Sequence, residues 1–349
     1  MMNTDLLTLM LQTPSVSGYE NAASQLYLDY LKDISFRQER DALNNAYAYV
    51  GKPDARLRVM VEAHIDEIGF QVLYIDKSGF IYFRKNGGID PCCVPGRFVQ
   101  ILTIDGQVLQ GVIGKKPIHL LSADERKEVP AGESLWIDTG LPADEVKRLV
   151  HVGDPVCYVP TMAFLGQDKI ASKGLDDKIG VFVVAEALRR IATLNLDICV
   201  CGVASSQEEV GCRGAQVGAA NVNPDYSISI DVDFATDVPN CLPKHHGDVA
   251  LGKGVVITRH LDSNRIFSDQ AVAVAEENGI AHQISARRSA TGGTNASKIQ
   301  LANCGVRTLL LGIPNRYMHT PAEVCDLRDV ESAVELIVKL VESISREQH

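Results

Sequence analysis

Two histidines and a recurring set of carboxylates hold most of the chemistry this chain could perform. His64, Asp66 and Glu67 close an apolar run in VEAHIDEIGF, and Asp176 and Asp177 stand in GLDDKIG. Glu208 and Glu209 follow in SSQEEVGCRGA, then Asp231 in SISIDVDFATD and His319 in NRYMHTPAEV. Imidazole and carboxylate together form the donor set of a divalent cation, zinc foremost. A single histidine at a strand end is more often a hydrogen-bonded structural residue, and an acidic pair is more often a solvated surface. The joint occurrence argues otherwise. Asp66 lies two residues past His64, where its carboxylate can take the second imidazole N–H and fix the tautomer. Apolar neighbours surround both acidic pairs, and crowded carboxylates repel unless a cation neutralises them. One member of a pair can then bind metal while its neighbour acts as a base.

Each of these groups follows or abuts a segment that reads as a buried strand. In open α/β sheets, sites form at the carboxyl ends of strands, so residues far apart in sequence converge there. The pattern supports such a sheet. LRVMVEAHID, DICVCGVAS, YSISIDV and VRTLLLGI read as strands, while residues 19–33, KIGVFVVAEALRRIATL, the segment opening at GCRGAQVGAA, DSNRIFSDQAVAVAEENG and the C-terminal DLRDVESAVELIVKLVESISRE read as helices. Gly279 is a natural helix stop. Between about 70 and 163 the texture changes to strand–turn–strand repeats, including IDGQ between two strands. The expected fold is therefore α/β, a mixed sheet flanked by helices. Residues 1–68 and 164–349 would form one domain, interrupted by a small β-rich insertion at 69–163.

With 349 residues and 46% hydrophobic content, the chain can bury a large core. Its formal charge of −10 argues against nucleic acid as a partner. No apolar run approaches the roughly 20 residues of a membrane span, and the N-terminus lacks the basic region of a signal peptide. Nine cysteines without zinc-ribbon spacing suggest reduced, mostly buried thiols in a cytoplasmic protein. Cys92-Cys93 reads as a buried turn. GDVALGKGV nearly spells a phosphate-binding loop, but Gly254 replaces the hydroxyl residue and a strand, not a helix, follows. His245-His246 reads as a solvated turn, and Asp233 and Asp237 yield to Asp231, which ends the apolar run. His119, before the polar stretch LSADERKEVPAGE, is a loop-borne candidate for function.

The motifs AHIDEIGF, LDDKIG, EEVGCRGA, IDVDFATDVP and RYMHTPAEV resemble those of the glutamyl and tetrahedral aminopeptidases, dinuclear metallopeptidases of the MH clan. The resemblance spans nearly the whole chain, and NGGID…VPGRFV, GVIGKKPIHLL, LWIDTG and HVGDPV resemble the family's inserted dimerisation domain. It implies that Asp176 bridges two divalent ions, zinc or cobalt, in each subunit. His64 and Asp231 would complete one site, and Glu209 and His319 the other. Glu208 would be the general base, Asp66 would orient His64, and Glu67 and Asp177 would play supporting roles. The implied reaction removes N-terminal residues from short peptides with a water bridging the two ions, which lower its pKa and polarise the scissile carbonyl. It also implies a cis peptide after Asp176, and a dimer that assembles into a tetrahedral dodecamer. One position departs from the pattern: Asn295 in GGTNASKIQ stands where the family commonly has Asp. Substrate preference is not legible, and Arg259, Arg287, Arg288 and Arg316 are candidate cations for an acidic first residue. Competing readings are a glycoside hydrolase and a non-catalytic assembly protein. A single Trp fits a sugar cleft poorly, and the intact acid and histidine set fits a silent protein poorly.

Overall fold

The protein is described by a computed structural model covering residues 4–130, 132–286 and 293–347. Eight strands form a mixed sheet in the order Arg37–Arg40, Ala46–Gly51, Cys199–Ser205, Arg58–His64, Tyr226–Phe234, Arg307–Asn315, Val255–Thr258, His282–Ser285. The four central strands, from Cys199–Ser205 to Arg307–Asn315, run parallel. They are buried along almost their whole length. That explains why they read as continuous apolar runs and not as alternating ones. Ser205 pairs with His64 across the ladder, and Ser229 with Glu62. Ser205, His64 and Asp231 therefore lie at one level, and Tyr226–Phe234 and Arg307–Asn315 run on past it.

Helices cover both faces. Leu175–Ala192 packs almost wholly buried against the sheet and against Leu327–Arg346. Its first turn is irregular: Asp176 and Asp177 are non-helical, and the peptide between them is cis. The long C-terminal helix opens on Asp326, whose carboxylate accepts the Arg328 N–H at 3.0 Å. The helix Arg265–Glu277 opens on Asn264 in the same way and is followed by Gly279 at φ +64°.

The β-rich segment closes into a six-stranded antiparallel barrel running from Gly69–Ile75 to Pro155–Tyr158. Phe70, Val99, Ile101, Ile113, Ile137 and Val156 fill it, forming a core separate from that of the large sheet. The IDGQ turn joins Phe98–Leu102 to Val108–Gly114 as a hairpin. The expected fold class is thus what forms.

Cys92 and Cys93 differ from expectation. They occupy a 3₁₀ turn, Cys92 exposed and Cys93 half-buried, because Asp90 caps the turn at the surface. Among the described residues every cysteine is a free thiol. In the GDVALGKGV segment, the Gly252 and Gly254 N–H groups donate to Asp329 at 2.7 Å each. A carboxylate therefore fills the cradle that a phosphate would need. No helix among the described residues is long and apolar enough to cross a membrane.

Candidate metal centre

The parallel strands deliver their chemistry at one edge. His64 ends its strand, Asp231 lies near the end of the next, Glu208 and Glu209 follow Ser205, and His319 follows Asn315. Asp176 comes from the irregular start of its helix. These residues converge in two overlapping groups. His64, Asp176 and Asp231 bring ligand atoms within 4.8 Å of one another, as do Asp176, Glu209 and His319. Asp176 belongs to both: its Oδ1 is 3.1 Å from His64 Nε2 and its Oδ2 is 3.2 Å from His319 Nε2. His64 Nε2 is 3.9 Å from Asp231, and His319 Nε2 is 3.4 Å from Glu209. Glu208 stands at the edge of the first group, 4.0 Å from His64 Nε2.

Both imidazoles are steered from behind. His64 Nδ1 donates to the Asp66 backbone carbonyl at 3.1 Å, and His319 Nδ1 donates to the Gly88 carbonyl at 2.8 Å. Each ring is thereby left with Nε2 facing the centre. A side chain at Gly88 would press on the His319 ring, since a Cβ there would lie 2.9 Å from Nδ1. Asp66 does more than the sequence suggested. Its carboxylate is 3.4 Å from His64 Nδ1 but accepts the Glu208 N–H at 2.9 Å, the Glu209 N–H at 3.2 Å and the Ser17 hydroxyl at 2.6 Å. One residue thus sets both His64, through its carbonyl, and the Glu208-Glu209 loop, through its side chain.

Burial dominates the electrostatics. It raises Glu208 to about 8, opposed by His64 and assisted by Asp231, Asp66 and Asp176. It pushes Glu209 well above the carboxylate range, with the charge of Asp176 adding. Burial would raise Asp176 too, but hydrogen bonds from His319 and His64 prevail and hold it below the usual range. Burial would lower both imidazoles, yet Asp176 and its acidic neighbours raise His64 well above its ordinary value and His319 to about 10. Protons are thus drawn in where positive charge is required. Glu209 Oε1 is also buried without a hydrogen-bond partner among the described residues. A donor set of two imidazoles and three carboxylates with these properties fits divalent cations.

Some functional groups escaped the sequence reading. Glu323, fully buried, accepts the N–H groups of Asp176 and His319 at 2.9 Å each, fixing two of the converging residues at once. Its place four residues past His319 in HTPAEV was the available signal. Glu20 accepts the Gly18 N–H at 2.6 Å and the Gln207 N–H at 3.2 Å, bracing the Glu208 loop from the N-terminal segment. Glu67 and Asp177 stand back from the centre. Glu67 pairs with Lys173 at 2.6 Å and Lys178 at 3.1 Å, and Asp177 caps the helix at the Gly180 N–H, 3.2 Å away.

A cleft of about 1330 Å³ opens on the centre. Phe234, Leu301 and Met318 give it an apolar lining, and His246, His260, Lys298 and Asp233 add polar groups. His246 sits exposed at the end of Pro243–His246, the solvated segment expected, and lines the cleft from there. Arg259 is paired with Asp269 at 2.7 Å and Arg316 with Asp237 at 2.6 Å, and neither lines the cleft. Arg287 and Arg288 lie outside the described residues. His119 sits exposed on a short turn away from the cleft lining.

A family model described as M42 glutamyl aminopeptidase matches residues 44–336. The lysyl aminopeptidase of Pyrococcus furiosus is 32% identical, over 99% of this chain and 98% of its own. The crystal structure of a TET aminopeptidase from a marine-sediment thaumarchaeon matches with a TM-score of 0.92 at 30% identity, covering 97% of this chain and 95% of that one. The TET1 peptidase of Pyrococcus horikoshii, described as able to assemble into a tetrahedron or a large octahedral shell, matches with a TM-score of 0.85 at 33% identity, covering 96% and 98%.

Proposed function

Because this chain belongs to the M42 glutamyl aminopeptidase family, we propose that its acid and histidine centre holds two divalent cations, zinc or cobalt, and removes N-terminal residues from short peptides. The chain is an aminopeptidase of a metal-dependent family; the ligands, the ion count and the substrate are the proposal. One observation carries it: Asp176 directs its two carboxylate oxygens at two different imidazoles, 3.1 and 3.2 Å away. A carboxylate so placed suits a bridge between two ions. His64 and Asp231 would complete one site, Glu209 and His319 the other.

When bound, such ions polarise a carbonyl and acidify water. Asp66 and Gly88 hold the two imidazoles with Nε2 forward. Glu208 accepts a proton from the attacking water at its carboxylate and returns it to the departing amine. Its place at the centre's edge, tied through its N–H to Asp66, keeps it within reach of substrate without making it a ligand. The apolar cleft wall receives the first side chain.

The inserted barrel at residues 69–163 is proposed to build a dimer that assembles further into a closed shell, by analogy with the TET1 peptidase. Phe98, Ile104 and Val108 are exposed on its surface. The free thiols agree with a reducing, cytoplasmic setting. The test is chelation followed by reloading with zinc or cobalt, against a panel of aminoacyl-anilides and short peptides. Release of N-terminal residues should vanish on stripping and return on reloading. Turnover indifferent to the chelator, or confined to β-glucan, would sink the proposal.

A further inference from the structure

Below the candidate ligands lies a second polar level, in the middle of the sheet. Glu62 precedes His64 by two residues and Ser229 precedes Asp231 by two, so each stands on the same strand face as the residue above it. Glu62, Ser205 and Ser229 are fully buried, and Asn295 is 2% exposed. Glu62 Oε1 accepts from Asn295 Nδ2 at 2.6 Å and from the Ser205 hydroxyl, and Oε2 accepts from the Ser229 hydroxyl at 2.8 Å. Asn295 Nδ2 also reaches Ser205 Oγ at 2.9 Å. A carboxylate has been placed in the middle of an apolar strand, and every group that meets it is a neutral donor.

Asn295 is not part of the sheet. It heads the short helix Ala296–Ile299, and Ser297, Lys298 and Leu301, in and just beyond that helix, line the cleft wall. The strands beneath are held by their own ladders, whereas this turn meets the sheet through the buried Ile299 side chain and, as its polar tie to the strands carrying His64 and Asp231, the Asn295 amide. We propose that Glu62 and Asn295 form a positioning pair that anchors the substrate-facing wall at residues 294–301 to the strands carrying His64 and Asp231. An amide suits 295 because a carboxylate there would face the Glu62 carboxylate at hydrogen-bond distance, with the one Ser205 hydroxyl proton to serve both. The pair should set where a substrate side chain sits relative to the centre.

The proposal rests on the peptidase reading for its kinetic arm, so a second arm is independent of activity. Asn295→Ala should speed backbone hydrogen exchange over residues 294–301 at least tenfold in the chelated protein while leaving 226–234 unchanged. In the metal-loaded enzyme it should raise KM at least fivefold with kcat per folded molecule within twofold. Asn295→Asp should be worse on both measures, and Glu62→Gln with Asn295→Asp, which reverses the donor and acceptor, should recover most of the loss. Unchanged exchange at 294–301 in Asn295→Ala would overturn the anchor, whatever the enzyme turns over. A fall in kcat with KM unmoved, or no recovery in the reversed pair, would overturn it too. A wild-type protein without peptidase activity would instead defeat the functional reading and leave the exchange arm standing.

Discussion

Glu208 and Glu209 are neighbours in sequence with separate tasks, and the separation is made by their surroundings. Glu209 points at His319 and Asp176, while Glu208 sits beside the first group, its N–H held by the Asp66 carboxylate at 2.9 Å. Replacing Glu208 by Gln keeps the shape and removes the proton acceptor. Turnover should fall about 10²–10⁴-fold, with metal content by elemental analysis unchanged. Parallel loss of metal and activity would make Glu208 a ligand. The residues of this centre were legible because each interrupts an apolar run with an acid or an imidazole. The contacts behind them were less so. That Asp66 grips the Glu208 loop with the same carboxylate that stands beside His64 Nδ1 depends on side-chain rotation, which spacing does not encode. Glu62 was visible as a charge inside VEAH, yet its partner Asn295 comes from more than 200 residues away. The departure from the family pattern at Asn295 acquires a physical reason only when the two are seen together.

At the scale of elements, the strands were readable because burial on both faces makes them continuously apolar, and the helices because their apolar residues recur at helical spacing. What the sequence did not reveal is how loops and helix starts are tied down. Asp329, in the first turn of the C-terminal helix, accepts two backbone N–H groups from the Gly252–Gly254 turn. Burial raises its carboxyl to about 6 from 3.8, against the pull of those donors. A raised folded-state value means that the native protein keeps this proton longer than the unfolded chain. The associated stability is full below about pH 4 and is lost as pH rises through 6. Relative to Asp329→Asn, which does not titrate, the wild type should lose about 3 kcal/mol across that window at 1.36 kcal/mol per pH unit. Denaturant midpoints from pH 4 to 7 would measure the difference, and parallel curves for the two proteins would refute it. Both proteins share the remaining groups, so only their divergence bears on Asp329.

At the scale of the molecule, two cores meet beside the candidate metal centre, where Gly88 holds His319, and along the N-terminal segment, where Tyr19 reaches Gly153. The barrel has its own apolar filling and carries Phe98 at 64% and Ile104 at 79% exposure. Isolated exposed hydrophobics are common, so their placement on the inserted unit gives them weight only together with the shell-forming relative. If this surface builds the assembly, native mass spectrometry should return a multiple of the 37.9 kDa subunit. Phe98→Glu with Ile104→Glu should then lower that multiple without disturbing the far-ultraviolet circular dichroism. A monomeric wild type, or an unchanged variant, would remove the barrel from the assembly.

The Gly88 carbonyl belongs to the inserted unit, yet it holds the ring of His319 at the end of a strand in the large sheet. If copies of this chain meet through the barrel, the centre would feel the protein's own concentration. A neighbouring copy that steadied the barrel would then steady one imidazole of the centre, and by reciprocity a loaded centre would tighten the grip between copies. Dilution and chelation then become two handles on one equilibrium.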